Sequence, residues 1–267
     1  MTRKIVRIAF PILVLLFLYV PILVLAFYSI TDATQIGSFR NFSFQNYVTL
    51  FNTEELRNMI IGTILLALGA ALIATILGTL GAIGAFYSGK RAGSAIATVN
   101  NIPVINADVV TGFSLCVLLV VVFGIAKDTY IPLVIGHVTL CAPFVYLSVI
   151  PKLRQMDSSL YEAALDLGAK PSKALLKVVI PQIFSGMISG FALAVTLSLD
   201  DYFIATYTKP ATFDTISTYV VNATKGSQTQ IKTALWALST LIFLLVIVFV
   251  VVMNIRSWRA TKKGEKA

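Results

Sequence analysis

The sequence predicts an all-α integral membrane protein of six transmembrane helices, with one helical loop on the cytoplasmic side. Three observations carry that prediction. The 267 residues are 57% hydrophobic and only 12% charged, against about 25% charged in soluble domains, and mean hydropathy is +0.87. Six apolar runs, at about 7–30, 58–88, 102–126, 130–150, 182–207 and 231–255, are near the length of about 20 residues that spans a bilayer. Between the fourth and fifth runs, residues 158–181 carry ordered helix signals in a polar stretch. The runs use most of the chain, so residues 1–267 read as a single transmembrane domain.

Each element has its own signature. The first run is longer than a signal-peptide core, contains Pro11 and Pro21, and has no small-x-small cleavage site after it, so it reads as an uncleaved span that the prolines interrupt. A polar outer loop, 31–57, contains NFSFQNYVTLF, suited to a short surface helix or strand. The second run carries Gly78, Gly81 and Gly84, which permit close helix approach. Asn100, Asn101 and Pro103 break the entry to the third run, leaving 93–102 along the inner interface. Runs three and four form a hairpin around Lys127 and Asp128. The fifth holds Gly186 and Gly190, a GxxxG pair. An outer loop, 208–230, the sixth run and a basic tail with Trp258 complete the chain.

The net charge of +9 is a matter of orientation. Fifteen of the 21 lysines and arginines fall on one side: Arg3, Lys4 and Arg7; Lys90 and Arg91; Lys152, Arg154, Lys170, Lys173 and Lys177; Arg256, Arg259, Lys262, Lys263 and Lys266. Arg40, Arg57, Lys127, Lys209, Lys225 and Lys232 fall on the other. This positive-inside bias places both termini in the cytoplasm and removes the case for a nucleic-acid partner.

The loop SSLYEAALDLGAKPSKALLKVVIP reads as two short helices. Ser159 and Glu162 have capping-box spacing, and Gly168 stands where a left-handed terminator belongs. Pro171 and Ser172 start the second helix, which Pro181 closes. Helices of about two turns are unstable alone, so a partner is expected to hold them.

Candidate chemistry is sparse. Gly84 to Lys90, GAFYSGK, fits the first seven positions of a phosphate-binding loop, but position 91 is Arg where the motif needs Ser or Thr, and no strand precedes it. His137 is the single histidine, with Cys141 four residues on. That is too few ligands for zinc, and neither a hydrolytic triad with an activated nucleophile nor any cofactor site is in view. His137 reads as a hydrogen-bonded helix-contact residue, and Cys116 and Cys141 as packing residues. The sequence predicts no enzyme. The intramembrane acids are the stronger signal, because a charge at mid-bilayer costs about 2.5–3.5 kcal/mol on insertion scales. They are Asp108 in the third span and Asp200 with Asp201 in the fifth. Helical spacing puts Ser185, Ser189, Thr196, Asp200, Phe203 and Tyr207 on one stripe, an aromatic–carboxylate lining suited to a cation. The alternative for the adjacent acids is a cap or pair near the outer interface.

The loop resembles the docking pattern of binding-protein-dependent ABC importer permeases: EAA, three residues, Gly, nine residues, I-x-L-P. Glu162, Ala163, Ala164, Gly168 and Pro181 match, while Val178 and Ile180 depart conservatively. FSFQNYVTLF, NADVVTGFSL, GHVTLCAPFVYL, YEAALDLGA and TLSLDDYFIATYTKP extend the likeness to PotC-type permeases of spermidine/putrescine importers. The resemblance implies a type I ABC importer permease fold in a bacterial cytoplasmic membrane, embedded in lipid. It implies four kinds of partner: a second, non-identical permease subunit, a cytoplasmic ATPase dimer seated on Glu162 and its neighbours, an extracytoplasmic binding protein, and a polyamine substrate. It also implies that Asp108, Ser198, Asp200 and Asp201 belong to the pathway. That family often has Pro before the first acid, where this chain has Ala107. Permeases for other small solutes share the docking loop, so such a solute is the alternative substrate. An ion-coupled secondary transporter, the remaining alternative, would need internal repeats and a coupling-ion site, and neither is visible.

Overall fold

A computed structural model describes residues 2–34, 37–38, 41–157, 159–225, 233–244, 247–248 and 251. The basic tail and the last residues of the sixth apolar run, 252–255, lie outside them. The described residues are helical apart from loops and one isolated β-bridge, Thr31 to Phe42. In order, the helices are α1 (Thr2–Ser29), α2 (Gln45–Asn52), α3 (Glu54–Tyr87), α4 (Lys90–Ile105), α5 (Asp108–Cys116), α6 (Ile131–Gln155), α7 (Ser159–Asp166), α8 (Pro171–Ala174), α9 (Ile180–Asp200), α10 (Phe203–Thr208), α11 (Ile216–Lys225) and α12 (Thr233–Leu244). Two π-helical stretches, Val117–Val122 after α5 and Leu175–Val179 between α8 and α9, complete the set.

Among the described residues, four stretches are long and apolar enough to cross a membrane: Phe10–Ser29, Glu54–Tyr87, Ile131–Gln155 and Pro171–Asp200. The bent pair Lys90–Ile105 and Asp108–Val122 makes a fifth when its two arms are taken as one span. Backbone contacts divide the chain into two units, residues 1–57 with 220–267, and residues 58–219. In the first unit, Asn46 donates through its amide to the carbonyls of Ser29 and Thr31, and Ser29 Oγ lies 2.9 Å from the Tyr47 hydroxyl. These bonds tie α2 to the end of α1.

The second unit is built around α6. Against it, α3 turns a stripe of small residues (Ala71, Ala74, Gly78, Ala82), all buried. A Cβ at Gly78 would sit 2.7 Å from the Ala142 carbonyl oxygen, so only glycine permits that approach. The other side of α6 receives α9 through Gly186 and Gly190, which the sequence predicted as a contact pair. A Cβ at Gly190 would lie 3.1 Å from Val145 Cα. Cys141, Val145, Val149, Leu153, Ile183 and Ala194 fill the core between them. Without a water-driven hydrophobic effect inside lipid, such backbone approach and dispersion contact hold the helices together. Large apolar side chains elsewhere, such as Leu65, Leu72 and Leu80 of α3, face outward.

Five expectations need correction. Pro11 and Pro21 do not interrupt α1, which is continuous through both. Pro103 does not break the third run either: it sits inside α4, and the 105° bend falls at Asn106 and Ala107, both extended. Residues 102–105 therefore belong to the helix before the bend. Pro181 does not close the second loop helix. The chain is helical from Pro171 to Asp200, because the π stretch shifts the ladder, Ile180 N–H reaching the Leu175 carbonyl, and leaves Pro181 in the first turn of α9. The fifth run is not one helix to 207. It stops at Asp200, breaks at Asp201–Tyr202 and resumes as α10. Finally, Ser159 is not the N-cap of α7 but lies within it, and Asp157 Oδ1 accepts its N–H at 2.9 Å.

Candidate functional site

Two places in the second unit bring the predicted residues together, one at each end of the α6–α9 pair. At one end the two chain breaks lie side by side. Ala107, extended, starts α5 with Asp108 as its first residue, so the bend exists without the proline common before this acid. Helix N-termini favour an acid in that position. The other break follows Asp200, the last residue of α9. Between the breaks α10 crosses both α5 and α6. A Cβ at Gly112 of α5 would lie 3.0 Å from Ile204 Cα, and the Phe113 and Tyr207 rings meet edge-on at 5.8 Å.

The acids divide by burial. Asp108 and Asp200 are exposed, whereas Asp201 is 8% exposed. Asp201 Oδ2 accepts the Ala205 N–H at 2.7 Å and Oδ1 the Ile204 N–H at 3.2 Å. It therefore satisfies two of the donors that the start of α10 would otherwise leave bare. Hydrogen bonds to a charged acceptor contribute about 1.5–3 kcal/mol each, which offsets much of the cost of placing a carboxylate there. Asp108 and Asp200 lie near enough to act on Asp201 electrostatically. Ser217 Oγ donates to the Leu199 carbonyl at 3.1 Å, satisfying an acceptor that the break frees from the helix ladder.

His137 of α6 is fully buried beside this break. Its Nδ1 lies 2.7 Å from Ser198 Oγ, and its Nε2 3.7 Å from Asp201 Oδ2. It is thus the hydrogen-bonded helix contact the sequence predicted. Ser, His and Asp do stand in sequence here, as in a hydrolytic relay. Ser198, however, is 1% exposed, so its hydroxyl is sealed from any substrate.

The predicted stripe comes together only in part. Thr196 is exposed on α9, its hydroxyl donating to the Ala192 carbonyl at 3.0 Å. Phe203 is also exposed and Tyr207 half-buried, but the break takes both off the α9 register. Ser198 turns inward to His137 rather than outward. What faces outward is a pair of carboxylates with aromatic rings beside them: Phe203, stacked edge-on with Tyr202 at 5.3 Å, and Tyr207. Such a surface attracts cations through charge and ring quadrupole together.

At the opposite end α7 forms an elbow. Glu162 and Ala163 are exposed, Ala164 is half-buried, and Leu167 is 89% exposed. Gly168 has φ +81° and closes the helix in a Schellman arrangement, with Ala169 N–H on the Ala164 carbonyl and Gly168 N–H on that of Leu165. Pro171 stands at the start of α8 and Pro181, exposed, at the start of α9. Bonds from the Ser159 hydroxyl and N–H hold the exposed Asp157 carboxyl below its ordinary 3.8. Sequence reasoning passed over Tyr161, whose ring meets that of Tyr87 at the end of α3 at 4.9 Å. An aromatic inside a short amphipathic helix was the available signal.

Long apolar helices, two exposed carboxylates at chain breaks and an exposed elbow at the other end of the α6–α9 pair are the features of a multi-pass membrane protein. The family described as binding-protein-dependent transport system inner membrane component matches residues 74–258. The chain is 31% identical over 255 residues to the spermidine/putrescine transport system permease protein PotC of Haemophilus influenzae, covering 96% of this chain and 97% of that one. It is 34% identical over 206 residues to the putrescine transport system permease protein PotI of Escherichia coli, covering 75% and 73%. Its fold is similar to that of a bacterial ABC transporter involved in import of the acidic polysaccharide alginate, with TM-score 0.72, 19% identity and 93% of each chain covered. The chain belongs to the binding-protein-dependent transport system inner membrane components, as a permease subunit of an ABC importer.

Proposed function

We propose that this chain forms half of the pathway of a polyamine importer and passes on the work of a separate ATPase. The observation that carries the substrate is the exposed pair Asp108 and Asp200 at two adjoining helix breaks, with Phe203 and Tyr207 beside them. Irregular backbone inside a membrane is tolerated where protein buries it or where it lines a water-filled cavity, and intramembrane acids mark ion or substrate paths. Spermidine and putrescine are flexible polycations, for which two separated carboxylates and ring faces are complementary. The names of the two relatives above support the same reading. A solute bearing carboxylates would meet like charge at this junction.

In this reading the whole chain is one permease domain of six crossings, with α4 and α5 one bent crossing and both termini in the cytoplasm. The elbow then lies in the cytoplasm, and Glu162, Ala163 and Ala164 sit in a groove of an ATPase dimer that hydrolyses ATP. A second, non-identical permease subunit completes the path, and an extracytoplasmic binding protein delivers solute. A push on α7 reaches α3 through Tyr161 and Tyr87, and reaches α9 through the continuous helix from Pro171. Because α9 is locked to α6 at Gly186 and Gly190, the pair moves as one body. Its 21 α9 residues carry the motion about 30 Å to the acids. The test is ATP-dependent uptake of labelled spermidine and putrescine by the reconstituted complex, with amino acids as competitors. Competition by amino acids and none by polyamines would favour a permease for another solute. Uptake driven by a proton gradient without ATP would favour the ion-coupled reading.

A further inference from the structure

We infer that His137 is a positioning residue: it sets the direction of Asp200 through Ser198 and Asp201 and does not itself touch solute. The inference rests on the reading of this junction as the pathway, but its geometry stands apart from which solute passes.

Asp200 sits at a two-residue hinge. Asp201 is extended, with φ −64° and ψ 123°, and Tyr202 has φ −106° and ψ −42°. A hinge in backbone alone leaves the carboxylate before it poorly aimed, so something must fix the helices on either side. His137, fully buried, faces both. Its Nδ1 meets Ser198 Oγ at 2.7 Å, two residues before Asp200 on α9. Its Nε2 faces Asp201 Oδ2, the oxygen that takes the Ala205 N–H of α10. One imidazole carried on α6 thus spans the end of α9 and the start of α10.

The long side of this bridge is informative. At 3.7 Å the Nε2–Oδ2 contact is an ion-pair distance and not a hydrogen bond, and among the described residues Nε2 has no hydrogen-bond partner. A buried ring nitrogen left so is costly. Closing the gap to hydrogen-bond length takes about 0.8 Å, a displacement within reach of α10 rocking on its hinge. Ser198 and His137 are both sealed, so neither meets solute. What they set together is the aim of Asp200, the exposed acid between Ser198 and Asp201.

The experiment reads that aim directly. In the assembled complex, with Cys116→Ser removing the half-buried thiol, Asp200→Cys is labelled with a cationic methanethiosulfonate reagent. Three His137 backgrounds are compared with the native one. His137→Leu removes both contacts, His137→Asn keeps reach to Ser198 only, and His137→Gln keeps a donor where Nε2 stood. The expected result is a change of about fivefold or more in labelling rate for Leu, with Asn and Gln each between Leu and native, as misplacement by about 1 Å alters reactivity strongly. ATPase co-purification should be unchanged in all four. In a Ser198→Ala, Asp201→Asn background, His137→Leu should add less than about twofold, because residues acting as one unit are not additive. Equal rates in all four backgrounds, or an effect of Leu undiminished in the double background, would overturn the inference. So would equal loss in Leu, Asn and Gln with parallel loss of co-purified ATPase, which marks simple packing. Absence of spermidine uptake by the native complex would overturn the substrate reading and leave the labelling result to decide this one.

Discussion

The two ends of the α6–α9 pair handle polar groups in opposite ways. At the elbow, Glu162, Ala163 and Leu167 lie exposed, and the helix ends by local means: a glycine at φ +81° and two carbonyls satisfied within six residues. At the acid junction, Ser198, His137 and Asp201 are buried and linked across three elements, His137 bonded through Nδ1 alone among the described residues, while Asp108 and Asp200 are left outward. An exposed, locally built feature suits a surface that a second protein must grip. A buried network with two outward charges suits a place where charge must be held still inside a membrane. In the function proposed above, the difference separates receiving force from meeting solute, and substitutions at the two ends should therefore fail in different assays.

The largest effect is expected where the ends are joined. Gly190→Leu forces a side chain into a backbone contact of 3.1 Å. Overpacking costs about 1–3 kcal/mol or more, and the measurable result is a sharp fall in folded protein by thermal-shift assay in detergent, with both functions lost. Next comes the elbow. Ala163→Glu places a charge on the exposed face without disturbing a buried atom, and at a docking centre such a change costs about 2–4 kcal/mol. Pull-down should lose the ATPase while the melting temperature holds. Asp200→Asn follows: about tenfold lower spermidine uptake, equal to about 1.4 kcal/mol, with ATPase binding intact. Gly168→Ala should slow uptake mildly, since a left-handed residue other than glycine costs about 1–2 kcal/mol.

The smallest effect concerns Asp157. Its pKa is lowered by Ser159, so its contribution to the elbow is fully present above 3.8 and fades as pH falls through the lowered value. Asp157→Asn should flatten the acid limb of elbow protection in hydrogen exchange while leaving neutral-pH uptake unchanged.

The elbow was legible in the sequence because its determinants are close together: Glu162, Ala163, Ala164, Gly168 and Pro181 specify a turn by spacing. Even there, the continuity of α8 with α9 was not readable, because a π stretch that absorbs Pro181 leaves no compositional trace. The acids were legible as costly residues. Their division of labour was not, because periodicity assumes an unbroken helix, and the break after Asp200 removes Phe203 and Tyr207 from the stripe. The bend before Asp108 falls at Asn106 and Ala107, while the more conspicuous Pro103 stays helical. The His137–Ser198 bond joins positions 61 residues apart, so only the packing of α6 on α9 reveals it.

The most direct test measures spermidine uptake and ATP hydrolysis together in vesicles holding the native complex, Ala163→Glu or Asp200→Asn. The account predicts that Ala163→Glu loses uptake and binding-protein-stimulated hydrolysis together, whereas Asp200→Asn loses uptake about tenfold and keeps hydrolysis. Native uptake in Asp200→Asn, or native stimulation in Ala163→Glu, would contradict it.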